Sequence, residues 1–60
     1  MTVPLDDQIK CAERELKMRR GVYPKWVAAG KMKQSQADQE LARMEAICAT
    51  LRGLRQPDLL

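Results

Sequence analysis

The side chains of this chain that could do chemistry are two thiols, Cys11 and Cys48, eight carboxylates, and eleven lysines and arginines. Histidine is absent, so the usual general base near neutral pH is missing. Two thiols without an imidazole cannot supply the four ligands of a structural zinc site from one chain. No glycine-rich phosphate loop is present, because Gly21 and Gly30 flank a Pro-Trp turn and not a strand-to-helix junction. Every carboxylate has a simpler place on a helix surface or in a first helical turn. The expectation is no catalytic residue, no metal and no cofactor. The chemistry that remains is recognition.

Three groups could recognise something. Tyr23 and Trp26 are the only aromatics, and these two residue types dominate interface hot spots. Trp26 is also the largest apolar body in a chain with no Phe, and its size suits it to plug the end of a helical hairpin. The size argument favours the plug for Trp26, while Tyr23 fits either role. The second group is basic. Residues 16–37 carry Lys17, Arg19, Arg20, Lys25, Lys31 and Lys33 with no acid, whereas residues 1–15 sum to −2 and residues 38–60 to −1. Cations near a helix C-terminus offset its dipole, and that reading is preferred over a nucleic-acid footprint. Met18, Met32 and Met44 form the third group. They could make an adaptable surface, but core and rim filling explains them more simply.

The elements that must position these groups are helices. Leu5, Ile9, Ala12 and Leu16 recur at four, three and four residues, which is one helix face. Asp6–Lys10, Glu13–Lys17 and Glu15–Arg19 are acid-before-base pairs one turn apart on the outer face. Thr2 can cap this helix, with Pro4 in its first turn and Asp6 and Asp7 at its positive end. A helix is expected over residues 4–20. Gly21 suits a left-handed helix end, and Tyr23, preceding Pro24, is pushed from helical angles. A new short helix over 24–29 is then expected, opened by Pro24 and closed by Gly30. Ser35 and Asp38 resemble a capping box opening a second long helix over 35–53. Ala37, Leu41, Met44, Cys48 and Leu51 form its stripe, which Ala42, Ile47 and Leu54 broaden. Gly53 and Pro57 mark its end, and residues 55–60 are expected to fray.

Two long helices joined by a compact bend predict an all-α antiparallel hairpin, a single unit over residues 1–60. Facing residues should have numbers summing to about 57–59. Leu16 then lies near Leu41, and Cys11 and Cys48 come to similar height. Two small thiols in a reducing compartment are expected to stay unpaired. A chain of 60 residues has little apolar bulk to offset its ordering entropy. A hairpin also leaves apolar flanks that a second hairpin would cover as a four-helix bundle. Self-association, as a dimer, is therefore expected through Leu5, Ile9, Leu16, Leu41, Met44, Ile47 and Leu51.

Compartment and alternatives follow from composition. The N-terminus is acidic and lacks a continuous apolar segment of the secretory kind. No apolar run approaches the about 20 residues of a membrane span, and the first helix mixes its charges instead of showing an all-basic face to a membrane. A cytoplasmic protein with no membrane partner is expected. A helix-turn-helix nucleic-acid regulator is the alternative, because residues 24–29, the connector and a helix from Ser35 have roughly that spacing. Against it, the recognition helix would lead with Asp38 and Glu40, which phosphates repel.

Arg14-Glu15 with Met18-Arg19, then Val22-Tyr23-Pro24, Trp26-Val27, Gly30 and Met32, then Ala37, Glu40, Met44 and Ala46-Ile47, form a pattern over about residues 13–48. It resembles small proteins of unknown function encoded in bacteriophage and prophage genomes. That resemblance implies a bacterial or phage cytoplasmic setting and favours a host or phage protein as partner. It carries no activity and no binding residues with it. The expected function is a non-catalytic protein–protein interaction module, with Tyr23, Trp26, Met32 and the six basic residues as its candidate contacts.

Overall fold

The structure, a computed structural model, describes residues 2–55. It contains two helices, α1 over Leu5–Ala28 and α2 over Gln34–Arg55, packed against each other as a hairpin. Among the described residues there is no strand. The expected fraying at 56–60 lies outside the described residues. Arg55 itself is helical, so α2 runs past Gly53, two residues beyond its expected end.

The largest departure from expectation is at Gly21 and Pro24. Both lie inside α1, which is one continuous helix of 24 residues. Gly21 is not left-handed, and no separate helix occupies 24–29. Magnitudes explain the difference. A glycine in a helix interior costs about 1 kcal/mol and a proline about 3 kcal/mol relative to alanine. Stopping at Gly21 and restarting at Pro24 would instead create two new helix ends. Each end leaves four backbone groups without intrahelical partners. Running on loses one donor, the amide that would have reached the Arg20 carbonyl. It also keeps Tyr23 and Val27 on the line of Leu16, where both are half-buried.

The chain reverses at residues 29–33 instead. The Gly30 amide donates to the Val27 carbonyl (3.0 Å), and the Lys31 amide donates to the Trp26 carbonyl (2.9 Å). This is a Schellman closure with Gly30 at φ +75°, the only residue of the described chain at positive φ. Gly30 thus ends a helix as expected, but that helix is α1 itself.

Both helix starts also differ. Pro4 is the N-cap of α1 and no side chain caps it, so Thr2 has no such role. The Pro4 carbonyl accepts from the Asp7 and Gln8 amides (3.1 Å each), and Gln8 Nε2 donates to the Val3 carbonyl (2.9 Å). In α2 the Lys33 carbonyl accepts from the Ala37 amide (3.0 Å), so the helix begins one residue before Ser35 can cap it. Asp38 accepts from Gln34 Nε2 (2.8 Å), which is the one-turn amide–carboxylate pairing.

The expected stripes form the seam. Ile9, Ala12 and Leu16 of α1 and Ala37, Met44 and Cys48 of α2 are buried. Leu5, Leu41 and Leu51 are half-buried beside them. Ala12, Leu16, Met44 and Cys48 make one cluster, flanked by Leu41 and Leu51. Six small or medium side chains are a thin core. The radius of gyration is 14.1 Å, against about 10 Å for a compact domain of this length.

Candidate functional site

The two edges of the seam are chemically unlike. Along one edge, α1 and α2 are laced by ion pairs. Arg52 donates from Nε to Glu13 Oε2 (2.9 Å) and from Nη2 to the same oxygen. Arg20 approaches Glu45 (3.6 Å) and Arg55 approaches Asp6 (3.6 Å). These contacts replace two of the pairs expected within α1, because Glu13 and Asp6 turn toward arginines of the facing helix. Only Glu15–Arg19 forms as expected (2.9 Å), and Arg19 also reaches Glu40 (3.7 Å). The hydrogen bond that Arg19 donates to Glu15 raises its pKa above the ordinary value, and the one that Arg52 donates to Glu13 does the same there. Stability tied to a raised basic group is present below the ordinary guanidinium value and lost only as pH climbs beyond it. Both groups therefore stay charged throughout the neutral range.

The other edge is open and mostly apolar, crossed by Arg19, which pairs with Glu15 and Glu40. A groove of about 690 Å³ lies between the N-terminal half of α1 and the C-terminal half of α2, lined by Val3, Asp7, Gln8, Cys11, Ala12, Glu15, Met44 and Leu51. A smaller groove of about 180 Å³ continues along α1 toward the bend, lined by Glu15, Met18, Arg19, Val22, Tyr23 and Trp26. Glu15 is common to both, so they form one track along α1. On α2, Ile47 is 49% exposed and Leu54 is 62% exposed. They stand three residues after Met44 and Leu51, and therefore on the same side as those groove residues.

Trp26 is not a core plug. It is 45% exposed, with its ring centroid 5.7 Å from that of Tyr23 and the planes at 32°. In a continuous helix Tyr23 and Val27 fall on Leu16's line, while Trp26 falls about 80° off it. That rotation places Trp26 on the open edge. Arg19 lies 6.0 Å from the Tyr23 ring centroid, within cation–π reach. Met32 is half-buried in the bend.

The basic residues are not one group. Arg19 and Arg20 are held by acids. Lys17, Lys25, Lys31 and Lys33 are exposed and make no ion pair among the described residues. Of these, only Lys25 lies in the last turn of α1, where a cation offsets the helix dipole.

Three residues expected at a self-association surface are elsewhere. Ile9, Leu16 and Met44 are buried in the seam of the hairpin itself. Two helices of this size have one shared face, and these side chains already occupy it. The open track instead runs through Cys11, Met18, Val22 and Trp26. Its residues recur with Glu15 at four, three, four and four residues. That second stripe is present in the sequence, but it is unbroken only if the helix passes through Gly21.

Both cysteines are free thiols, Cys48 buried in the seam and Cys11 exposed in the larger groove. Among the described residues, no three His, Cys, Asp or Glu side chains stand together as a metal site, and no helix is long and apolar enough to cross a membrane. No protein family, curated protein or solved structure matches the chain. The resemblance to phage-encoded proteins drawn from residues 13–48 therefore finds no support in these comparisons.

Proposed function

We propose that this chain is a non-catalytic protein–protein interaction module whose open apolar edge is covered by a second copy of itself. The supporting observation is the asymmetry of the seam: three interhelix ion pairs close one edge, while the other is mostly apolar and is crossed by one ion pair, Arg19 to Glu40. The solvent-accessible surface is 4924 Å², against about 4,000 Å² for a compact monomer of this mass. A hairpin this elongated exposes more surface than a compact monomer of its mass, which leaves area for a second copy to cover. The setting that fits is a bacterial or phage cytoplasm, and a host or phage protein presenting a similar apolar helix could compete for the same edge.

Sedimentation equilibrium tests this reading. A dimer is expected in the micromolar range. Replacing Trp26 by Ala should weaken it at least tenfold, as for an interface hot spot, while the helical circular dichroism of the hairpin is retained. A folded, cooperative monomer across that range would refute self-association.

A second reading is favoured by the unpaired Lys25, Lys31 and Lys33 at the same end of the hairpin as the half-exposed Trp26, a combination suited to a single-stranded nucleic acid. It does not use helix-turn-helix geometry, because the helix before the bend is 24 residues long and Asp38 and Glu40 lie near the start of α2. Gel-shift titration separates the readings, since only nucleic-acid binding should weaken linearly with the logarithm of salt concentration.

A further inference from the structure

We infer that the two copies pair along their open edges in opposite directions, so that the two basic bends lie at opposite ends of the dimer. This rests on the self-association reading above. A two-fold pair presents the same patch from both subunits. Two arrangements bring the same edge against itself: bends side by side, or bends apart.

Shape distinguishes them first. The open edge has a projection at one end and a hollow at the other. Trp26, 45% exposed, stands near the bend, and the larger groove lies at the far end of the same track between Val3 and Glu15. Glu15, shared by the two grooves, sits near the middle. Reversing one copy about Met18, on the same track, brings each Trp26 to the level of the other copy's Lys10, over the larger groove, twice by symmetry. Aligning the copies in the same direction sets Trp26 against Trp26 and hollow against hollow.

Charge points the same way. The end of the hairpin nearest the bend, residues 21–37, carries Lys25, Lys31 and Lys33 and no acid, a net +3, while Arg19, Arg20 and Arg43 are each paired with an acid. The far half, residues 2–15 with 44–55, carries four basic and five acidic side chains, a net −1. Packed helices lie about 8–10 Å apart, within the about 10 Å Debye length at 0.1 M salt. Bends side by side would hold two +3 clusters inside that distance. With the bends apart, they are separated by roughly the length of α1, about 36 Å. Each bend then lies beside the partner's Asp7, an acidic residue of the larger groove.

The test is a spin-label distance in the full chain. Cys11→Ser with Lys31→Cys leaves one exposed thiol, at the bend, because Cys48 is buried. Lys31 is exposed and makes no side-chain hydrogen bond or ion pair among the described residues, and circular dichroism checks that the hairpin is retained. Pulsed electron resonance on the dimer should give a separation above about 30 Å, from the helix length. A separation below about 20 Å overturns the orientation and leaves self-association standing. A monomer at every concentration for the native chain, with Cys11 and Lys31 intact, overturns both. The sign of the salt effect is an independent readout. The reversed dimer should dissociate more readily as salt rises from about 20 to 500 mM, because screening removes the end-to-end attraction. A dimer tightened by salt would instead indicate that like charges had been brought together.

Discussion

Gly21→Ala and Gly30→Ala should change stability in opposite directions. Gly21 lies in the interior of α1, and a Cβ built there meets nothing within 4 Å. Alanine adds no clash and removes the backbone freedom of glycine from the unfolded chain, so the fold should gain about 0.5–1 kcal/mol. For a domain of this size that raises Tm by roughly 2–8 °C. Space is equally open at Gly30, but its φ is +75°. An L-residue held in that conformation costs about 1–2 kcal/mol, so Tm should fall by a similar or larger amount. Gly53, helical and open like Gly21, should follow Gly21. The measurement is thermal and urea unfolding followed by circular dichroism. Protein concentration is held constant, because association shifts Tm by mass action. If α1 ended at Gly21 in a left-handed turn, alanine there would destabilise. A fall in Tm for both variants would therefore refute the continuous helix and, with it, the placement of Trp26 on the open edge.

Pro24→Ala should stabilise the hairpin by about 1–3 kcal/mol, since it restores the donor to the Arg20 carbonyl, and the same unfolding curves would reveal a loss instead. Leu16→Ala removes a buried side chain from a six-residue core and should cost about 2–5 kcal/mol, enough to abolish most of the helical signal in dilute buffer; full retention would mean that the seam contributes little. A double-mutant cycle on Glu13 and Arg52 should give no coupling beyond measurement error, because both side chains are substantially exposed; a resolved coupling would make the ion-paired edge a main source of stability. Thiol titration of the native protein should modify Cys11 rapidly, while Cys48 reacts only at the rate of unfolding; two fast equivalents would show that the seam opens readily.

Apolar spacing alone gave the stripes that pack. Ala37, Leu41, Met44, Cys48 and Leu51 repeat at helical intervals, and all five are buried or half-buried. Ile9, Ala12 and Leu16 do the same in α1. Such periodicity is a local property, because 3.6 residues per turn assigns each side chain to a face without knowledge of the partner. The antiparallel hairpin follows, since only one packing of two such stripes joined by a short bend buries both.

The place of the corner was not legible, because its signals compete. Gly21, Tyr23-Pro24 and Gly30 each argue locally for a break. Which one breaks the chain depends on the summed energy of orphaned backbone groups and of burying Tyr23 and Val27, and that sum involves the facing helix. The same is true of the ion pairs. Glu13 and Asp6 have lysines one turn away, yet α2 offers them arginines across the seam. The open edge follows from the corner. Extending α1 past Gly21 turns Trp26 out of the seam and joins it to Cys11, Met18 and Val22 in a second apolar line. Helical repeat fixed the inner face of each segment. The outer face, which another chain would meet, was set only when tertiary packing decided where the first helix stops.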